Sequence, residues 1–260
     1  MLRDTIKPFD ERRDLVIPGD YQTTLQFCVE HFLFAAQKAI ADHGFFAVAL
    51  SGGSTPKAIY QKLLDPANPI KIDWKRVFLF WSDERNVPPD HAESNYRMAM
   101  EAAFKHLPLL PQNIHRMQAE ANIEEGALAY QNLIHSVLKR NLFDLVMLGM
   151  GEDGHTASLF PHTKGLYAQG RLAIANYIPE KNTWRMTLTF ECINASNAIA
   201  LYVLGRSKAP MLKRVLTSPY QPDAFPVQRA GSVQHKALWI IDQEAFEDMP
   251  GQTLSSPEKC

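Results

Sequence analysis

A chain of 260 residues can bury one large hydrophobic core and does not require two domains. Its composition, 46% hydrophobic and 21% charged, is that of an ordinary globular protein. The 27 Lys and Arg residues nearly balance the 28 Asp and Glu residues, and the resulting net charge of −1 excludes a general attraction to nucleic acid or to an anionic membrane. We predict a single domain over residues 1–260, in which any binding of anions is local.

The cysteines and the N-terminal segment indicate a cellular compartment. Cys28, Cys192 and Cys260 are odd in number, far apart and without metal-ligand spacing, as expected of reduced thiols. Residues 1–14 are polar and lack the apolar core of a secretion signal. No stretch approaches the ~18 uninterrupted apolar residues of a membrane span. We therefore expect a cytoplasmic protein without a membrane partner.

The predicted elements alternate between helices and strands. A helix over 20–43 ends near Gly44, a strand follows over 45–50, and the stretch 51–56 leads into a helix to about residue 64. The later predicted strands are 77–81, 143–148, 172–178, 185–190, 198–204 and 237–241. The later predicted helices begin near Ser94, span 123–140, and extend for about ten residues from Ser207. This alternation predicts an α/β fold with a mainly parallel sheet and helices on both faces, between a polar lead-in and a frayed tail after about residue 249.

The stretch Ser51-Gly52-Gly53-Ser54-Thr55-Pro56 joins a predicted strand to a predicted helix. Gly52 and Gly53 let the main chain approach a ligand closely, and Ser54 and Thr55 add hydroxyls at the start of the helix. Together they predict a cradle for an anion, most naturally a phosphate. The stretch lacks the Gly-Lys-Ser/Thr of a P-loop. Considered alone, it is explained equally well by an ordinary strand–helix turn with a Ser/Thr cap.

Charged side chains also follow the strand predicted over 77–81, in Ser82-Asp83-Glu84-Arg85. Arg85 offers a planar fork for a phosphate, a carboxylate or a developing oxyanion. A surface network of Asp83, Glu84 and Arg85 is the simpler explanation when this motif is considered alone.

The most informative segment is 143–162, FDLVMLGMGEDGHTASLFPH. Its glycines form a GxGxxG string, which is otherwise typical of dinucleotide binding. We reject that interpretation because Glu152 and Asp153 would place negative charge against a pyrophosphate. In addition, no acid occurs over 172–178 to bind the ribose.

His155 in this turn is the histidine best placed for acid–base chemistry. A neutral imidazole accepts a proton from water near pH 7, and a carboxylate on its other nitrogen, for which Asp153 is the candidate, fixes the tautomer. A metal site of Asp153, His155 and His162 lacks a defined ligand spacing. No GxSxG elbow for a nucleophilic serine occurs.

Two further cations lie near the ends of predicted strands. Arg185 opens the strand predicted over 185–190, and Lys208 lies at a helix start, where a cation is unfavourable unless an anion is also bound. That mismatch predicts Lys208 as a phosphate ligand. Arg206 could do the same, and sequence spacing does not separate the two.

These segments together resemble the 6-phosphogluconolactonase family. The matching stretches occur in the family's order and are ALSGGSTP (49–56), WSDERNVPPDHAESNY (81–96), LGMGEDGHTASLFP (148–161), RMTLT (185–189), LGRSKA (204–209) and LWIID (238–242). The resemblance implies a modified Rossmann-like α/β fold. It further implies hydrolysis of 6-phosphoglucono-δ-lactone to 6-phosphogluconate in the oxidative pentose phosphate pathway, with no metal and no cofactor.

The resemblance also implies roles for the candidate residues. The catalytic set is His155 as the base that activates water, Asp153 as its orienting acid, and Arg85 as a cation. The substrate-binding set is Gly52, Gly53, Ser54, Thr55, Arg85, Arg185 and Lys208. Which of Arg85 and Arg185 faces the phosphate and which faces the oxyanion is left open, and the oligomeric state is not predicted.

Two alternatives come from different functional classes. Glucosamine-6-phosphate deaminases share the implied fold, but after the histidine they carry an Asn-Glu-Pro pattern, where this chain has Ser158-Leu159-Phe160-Pro161. They also tend to have a tyrosine where this chain has Arg85. Both departures favour the lactonase. A non-catalytic regulator that binds sugar phosphates is the second alternative, and His155, Asp153 and Arg85 argue against it.

Overall fold

A computed structural model describes residues 6–139 and 142–250. Its strands are β1 (Lys7–Pro8), β2 (Arg13–Val16), β3 (Phe46–Leu50), β4 (Val77–Trp81), β5 (Asp83–Arg85), β6 (Leu145–Leu148), β7 (Ala173–Ile178), β8 (Thr183–Leu188), β9 (Ile199–Val203) and β10 (Ala237–Ile241). Its α-helices are α1 (Tyr21–His43), α2 (Ser54–Leu63), α3 (Asn95–Ala102), α4 (Ile123–Leu138), α5 (Phe190–Asn194), α6 (Ala209–Thr217) and α7 (Gln243–Phe246). The predicted frayed tail falls on residues 251–260, outside the described range.

The larger sheet has seven strands in the order β1-β2-β10-β9-β6-β3-β4. Every neighbouring pair is parallel except β1 with β2, so the predicted mainly parallel sheet is confirmed. Strands β3, β6 and β9 are buried at every position. Because both faces of these strands are covered, their sequences are continuous apolar runs without alternation.

The register of the parallel strands brings their carboxyl ends to one edge of the sheet. Leu50, the last residue of β3, pairs with Trp81 of β4, and Leu148 of β6 pairs with Leu201 of β9. The turns that follow these strands therefore meet at this edge, which is where open α/β sheets bind ligands.

Helix α1 is bounded by residue types that commonly begin and end helices. The Asp20 side chain accepts a hydrogen bond from the main-chain N–H of Thr23 at 2.8 Å, which satisfies a free donor of the first turn. Gly44 ends the helix with a φ of 97°, a left-handed conformation that glycine adopts without strain. The helix packs its apolar side, including Cys28 and Phe32, into the core.

A second, three-stranded antiparallel sheet has the order β5-β8-β7. The sequence analysis predicted two of its strands but not the sheet itself. Strands β7 and β8 are joined by the short turn Pro179–Lys181 and by Asn182, whose φ is 45°. A connection this short permits only antiparallel pairing, since a parallel pair needs a crossover. This sheet carries Arg85 on β5 and Arg185 on β8.

The predicted boundaries are close to those observed. The helix predicted from Ser207 is a 3-10 turn, Arg206–Lys208, followed by α6. The helix predicted over 123–140 is α4, which ends at Leu138. Within the described ranges, no helix combines the length and the apolar character needed to cross a membrane.

Candidate active site

A cavity of about 220 Å³ opens where the parallel strands end. Its wall includes the loop 51–56 after β3, Arg85 in β5, His155 after β6 and Lys208 after β9. The fold thus brings together four segments that the sequence analysis selected separately.

His155 and Asp153 form a hydrogen-bonded pair within the turn after β6. His155 Nδ1 lies 2.5 Å from Asp153 Oδ1, and the same oxygen accepts the main-chain N–H of His155 at 3.1 Å. His155 lines the cavity whereas Asp153 does not, so the carboxylate supports the imidazole from behind. Burial acts to raise the pKa of Asp153, but the hydrogen bonds and charge of His155 outweigh it and hold that pKa below its ordinary value. An ionised Asp153 keeps a proton on Nδ1 and leaves Nε2 as the basic atom.

Two neighbours fix the position of this imidazole. A Cβ at Gly151 would lie 2.0 Å from His155 Nδ1 and 2.6 Å from Asp153 Oδ1, so any side chain there would displace the pair. On the other side, the Phe160 ring stacks on the imidazole, with centroids 3.9 Å apart and planes at 16°. Residues 158–161 distinguish two families by their sequence, but that pattern predicts no contact for Phe160. The stack gives that segment a physical role beside the base.

The loop 51–56 presents the N-terminus of α2 to the cavity. Gly53 precedes the helix with a φ of 103°, which favours glycine. Ser54 and Thr55 are the first helical residues, where main-chain N–H groups have no acceptor within the helix. The alternative of a Ser/Thr-capped turn is wrong, because Gly53 occupies the cap position and no side chain caps the helix. The open N-terminus suits an anion.

Two side chains hold this loop in place from below. The Tyr60 hydroxyl donates to the carbonyl oxygen of Ser51 at 2.9 Å and accepts the N–H of the same residue at 3.0 Å. A Cβ at Gly52 would lie 2.0 Å from Asn95 Oδ1, so glycine is required for Asn95 to pack there. Neither Tyr60 nor Asn95 is predicted as a site residue: Tyr60 lies outside the matching stretches, and Asn95 lies within the stretch 81–96 but without a role assigned to it.

Asp83 and Glu84 are buried, with 6% and 3% of their surfaces exposed, and the predicted surface network is wrong. The Glu84 carboxylate accepts main-chain N–H groups of Asn95 and Tyr96, each at 2.8 Å, and thereby caps α3. Burial raises the pKa of Glu84, although these donors oppose that effect. Asp83 accepts the Ser158 hydroxyl at 2.6 Å, which ties the motif after β4 to the segment that follows His155.

Arg85 and Arg185 lie side by side in the antiparallel sheet, as register partners of β5 and β8. Arg85 lines the cavity, whereas Arg185 does not and donates from Nη1 to the Thr183 hydroxyl at 2.9 Å. Burial and the charge of Arg85 lower the pKa of Arg185, which stays a cation because guanidinium groups are not deprotonated in proteins. Across the described residues, neither arginine forms a salt bridge with a carboxylate. Two adjacent cations, neither of them in a salt bridge, favour an anion at this end of the cavity.

Lys208 and Arg206, which sequence spacing left undecided, have different surroundings. Lys208 lines the cavity, and its Nζ donates to the carbonyl oxygen of Met150 at 2.9 Å. Arg206 is turned to the protein surface, where it forms salt bridges with Glu247 and Asp248. The structure therefore favours Lys208 as the cavity cation of this pair.

The metal alternative finds no support in the geometry. In the part of the chain that the structure describes, Asp153, His155 and His162 do not form a cluster that could hold a metal ion. His162 is also absent from the cavity wall.

The fold and this cavity define a class of protein. A histidine–carboxylate pair beside an open helix N-terminus and unpaired cations suits an α/β enzyme that moves protons on a small anionic molecule. The chain belongs to the glucosamine-6-phosphate isomerase/6-phosphogluconolactonase family, whose model matches residues 19–239.

Individual relatives agree with this assignment. A 6-phosphogluconolactonase of Chlamydia pneumoniae is 36% identical over 253 residues, covering 97% of this chain and 96% of the relative. One of Synechocystis sp. is 37% identical and covers 82% of this chain and 88% of the relative. The crystal structure of 6-phosphogluconolactonase from Thermotoga maritima superposes with a TM-score of 0.76 at 28% identity, over 88% of this chain and 99% of that one.

Proposed function

We propose that this protein hydrolyses 6-phosphoglucono-δ-lactone to 6-phosphogluconate, the lactonase step of the oxidative pentose phosphate pathway. The observation that carries the proposal is the His155–Asp153 pair at a cavity that also presents the N-terminus of α2 and Lys208. The names of the relatives, 6-phosphogluconolactonases that align over most of the chain, support the same substrate.

The proposed reaction is a water attack assisted by a general base. His155 Nε2 removes a proton from water as the water oxygen bonds to C1 of the lactone, and the carbonyl electrons move to oxygen. Arg85 stabilises that oxyanion. When the carbonyl re-forms, the bond from C1 to the ring oxygen breaks, and the protonated His155 returns its proton to that oxygen. The lactone carbonyl is itself electrophilic, so this sequence needs no cofactor.

The other candidate residues position the substrate. Main-chain N–H groups of Ser54 and Thr55, made accessible by the glycines at 52 and 53, bind the 6-phosphate together with Lys208. We assign Arg85 to the oxyanion because it lines the cavity and the phosphate already has these partners. Arg185 lies next to Arg85 and strengthens the positive potential there. Holding the phosphate fixes the distant carbonyl against His155.

The deaminase alternative has weaker support in the contacts around the base. In the segment that follows His155, Ser158 bonds Asp83 and Phe160 stacks on the imidazole, and residues 156–161 contain no acid to act on an amino sugar.

We also place the enzyme in the cytoplasm, since Cys28 and Cys192 are free thiols.

A coupled assay tests this proposal. The lactone is generated freshly from glucose 6-phosphate by its dehydrogenase, and its opening is measured against the spontaneous rate. We expect rapid opening with the protein and an acceleration about 10²- to 10⁴-fold weaker with His155→Asn. Release of ammonia from glucosamine 6-phosphate, without acceleration of lactone opening, would replace the lactonase by the deaminase.

A further inference from the structure

Tyr202 carries a hydroxyl group in the otherwise apolar strand β9. It lies in β9 with 2% of its surface exposed, and it lines the candidate active-site cavity. Its hydroxyl has no hydrogen-bond partner among the described residues. In the described structure, it is the only side chain with such an unpartnered buried atom that also lines this cavity.

The other buried tyrosines of this region show that the fold normally satisfies such hydroxyls. Tyr60 bonds the main chain of Ser51, and Tyr130 accepts the N–H of Trp81 at 2.8 Å and donates to its carbonyl oxygen. Native proteins pair nearly all of their buried polar groups, so an exception beside a binding cavity calls for a partner that arrives with the ligand.

The surroundings of Tyr202 indicate which part of the ligand it meets. Burial, together with nearby Cys28 and Tyr60, raises the pKa of Tyr202 well above its ordinary value, so the hydroxyl keeps its proton and can donate. Tyr60 belongs to α2, the helix whose N-terminus opens on the cavity, and β9 leads directly to Lys208. The loop that Tyr60 bonds and Lys208 both line the end of the cavity where we place the phosphate, whereas Cys28 lies in the core on α1.

We propose that the Tyr202 hydroxyl is a further substrate ligand, which donates a hydrogen bond to an oxygen of the 6-phosphate from beneath the loop 51–56. This inference rests on the proposed lactonase function. The hydroxyl oxygen is buried in the free protein, so the contact forms only when the phosphate enters.

The test compares Tyr202→Phe with Tyr130→Phe in the full chain. Tyr202→Phe keeps the ring and removes only the hydroxyl, so we expect KM for the phosphorylated lactone to rise about tenfold with kcat little changed. KM for glucono-δ-lactone, which lacks the phosphate, stays the same. The melting temperature is kept or raised, since no buried partner loses a bond. Tyr130→Phe leaves both KM values unchanged and lowers the melting temperature, because the Trp81 main chain loses its partner.

An unchanged KM for the phosphorylated lactone in Tyr202→Phe would overturn the inference. An equal rise of KM for both lactones would also overturn it, since the hydroxyl would then serve the shape of the cavity. Failure of the lactonase proposal is a separate result, namely no turnover by the unmodified protein. In that event calorimetry with 6-phosphogluconate decides, where we expect about tenfold weaker binding to Tyr202→Phe and where equal binding would contradict the assignment.

Discussion

We propose different roles for two turns at the same edge of the sheet, although β3 and β6 are neighbouring strands. The turn after β6 contains its own ionisable pair, Asp153 and His155, and can move a proton. The turn 51–55 after β3 has no ionisable side chain and offers main-chain donors. The position in the fold makes both turns candidate binding sites, and the side chains within each turn determine whether we expect catalysis or substrate binding there.

Glycine serves both turns in the same way. At Gly151 the missing side chain leaves room for His155, and at Gly52 it leaves room for Asn95, with a Cβ 2.0 Å from an atom of the neighbour in each case. Neither glycine has a left-handed φ, so what each supplies is room for close packing. The two turns can therefore be disturbed by the same substitution and compared directly.

The largest difference between the turns is expected from removing the base. His155→Asn should lower kcat by about 10²- to 10⁴-fold and leave KM nearly unchanged, because the turn after β3 still binds the phosphate. His162→Asn is the matched control, since its φ of 58° suits asparagine and its side chain does not line the cavity. Steady-state kinetics of the two variants tests this expectation. A rise chiefly in KM for His155→Asn would contradict separate roles for the two turns.

The paired glycine substitutions sharpen the comparison further. Gly151→Ala should lower kcat on the order of 10²-fold, because it displaces the imidazole from its working position. Gly52→Ala should act mainly on KM, because it disturbs the phosphate loop through Asn95. Circular dichroism confirms that each variant is folded before kinetics are measured. The same response of kcat to both substitutions would show that the turns are not separate in function.

A smaller effect is expected at the cation beside both turns. Lys208→Ala should raise KM by about 10- to 100-fold, the cost of losing a hydrogen bond to a charged group. Arg206→Ala, two residues earlier, should leave KM unchanged because its guanidinium pairs with Glu247 and Asp248 at the surface. An effect of Arg206→Ala as large as that of Lys208→Ala would move the phosphate contact to the other cation.

The smallest expected effect is a pH dependence of the free energy of unfolding, which only the turn after β6 should contribute. The pKa of Asp153 is lowered in the folded protein, so its carboxylate contributes stability that is complete above its unfolded pKa of about 3.9 and is lost as the pH falls through the folded value. Because its side chain is 37% exposed, the contribution should be below about 1 kcal/mol. The turn after β3 contributes nothing in this window.

Urea denaturation of the unmodified protein and of Asp153→Asn, between pH 3 and 6, measures this difference. The two free energies of unfolding should converge as the pH falls, and Glu152→Gln, which changes the adjacent exposed acid, serves as the control. A gap that is constant over the whole range would mean that the Asp153 charge plays no part in stability.

Much of this organisation could be predicted from the sequence. The buried runs of β3 and β6 are followed by glycine-rich turns. Because parallel strands place such turns at one edge of the sheet, the sequence predicts that the segments 51–56 and 149–155 lie together. The segment after β4 was placed at the same edge, but its acids were misread. Asp83 and Glu84 look like surface charges because Ser158 is distant in sequence, and because the helix start near Ser94, although predicted, does not itself show that Glu84 caps it.

Other features depend on contacts that no local pattern records. Strand β5 is short and polar, so only its pairing with β8 makes it a strand. Strand β2 lies in the polar lead-in and was not predicted. The stack of Phe160 on His155 requires the chain to turn back on itself within five residues. The roles of the candidate residues remain predictions, which the kinetics and stability of the variants described above will test.

The closeness of Asp153 and His155 in the chain has a consequence for inheritance. A pair separated by one residue passes as a unit through recombination, insertion or rearrangement elsewhere in the gene. The remainder of the cavity wall, which runs from Ser51 to Lys208, has to be kept by selection acting on many separate places. A rearrangement elsewhere in the gene can therefore replace other parts of the cavity wall without separating Asp153 from His155.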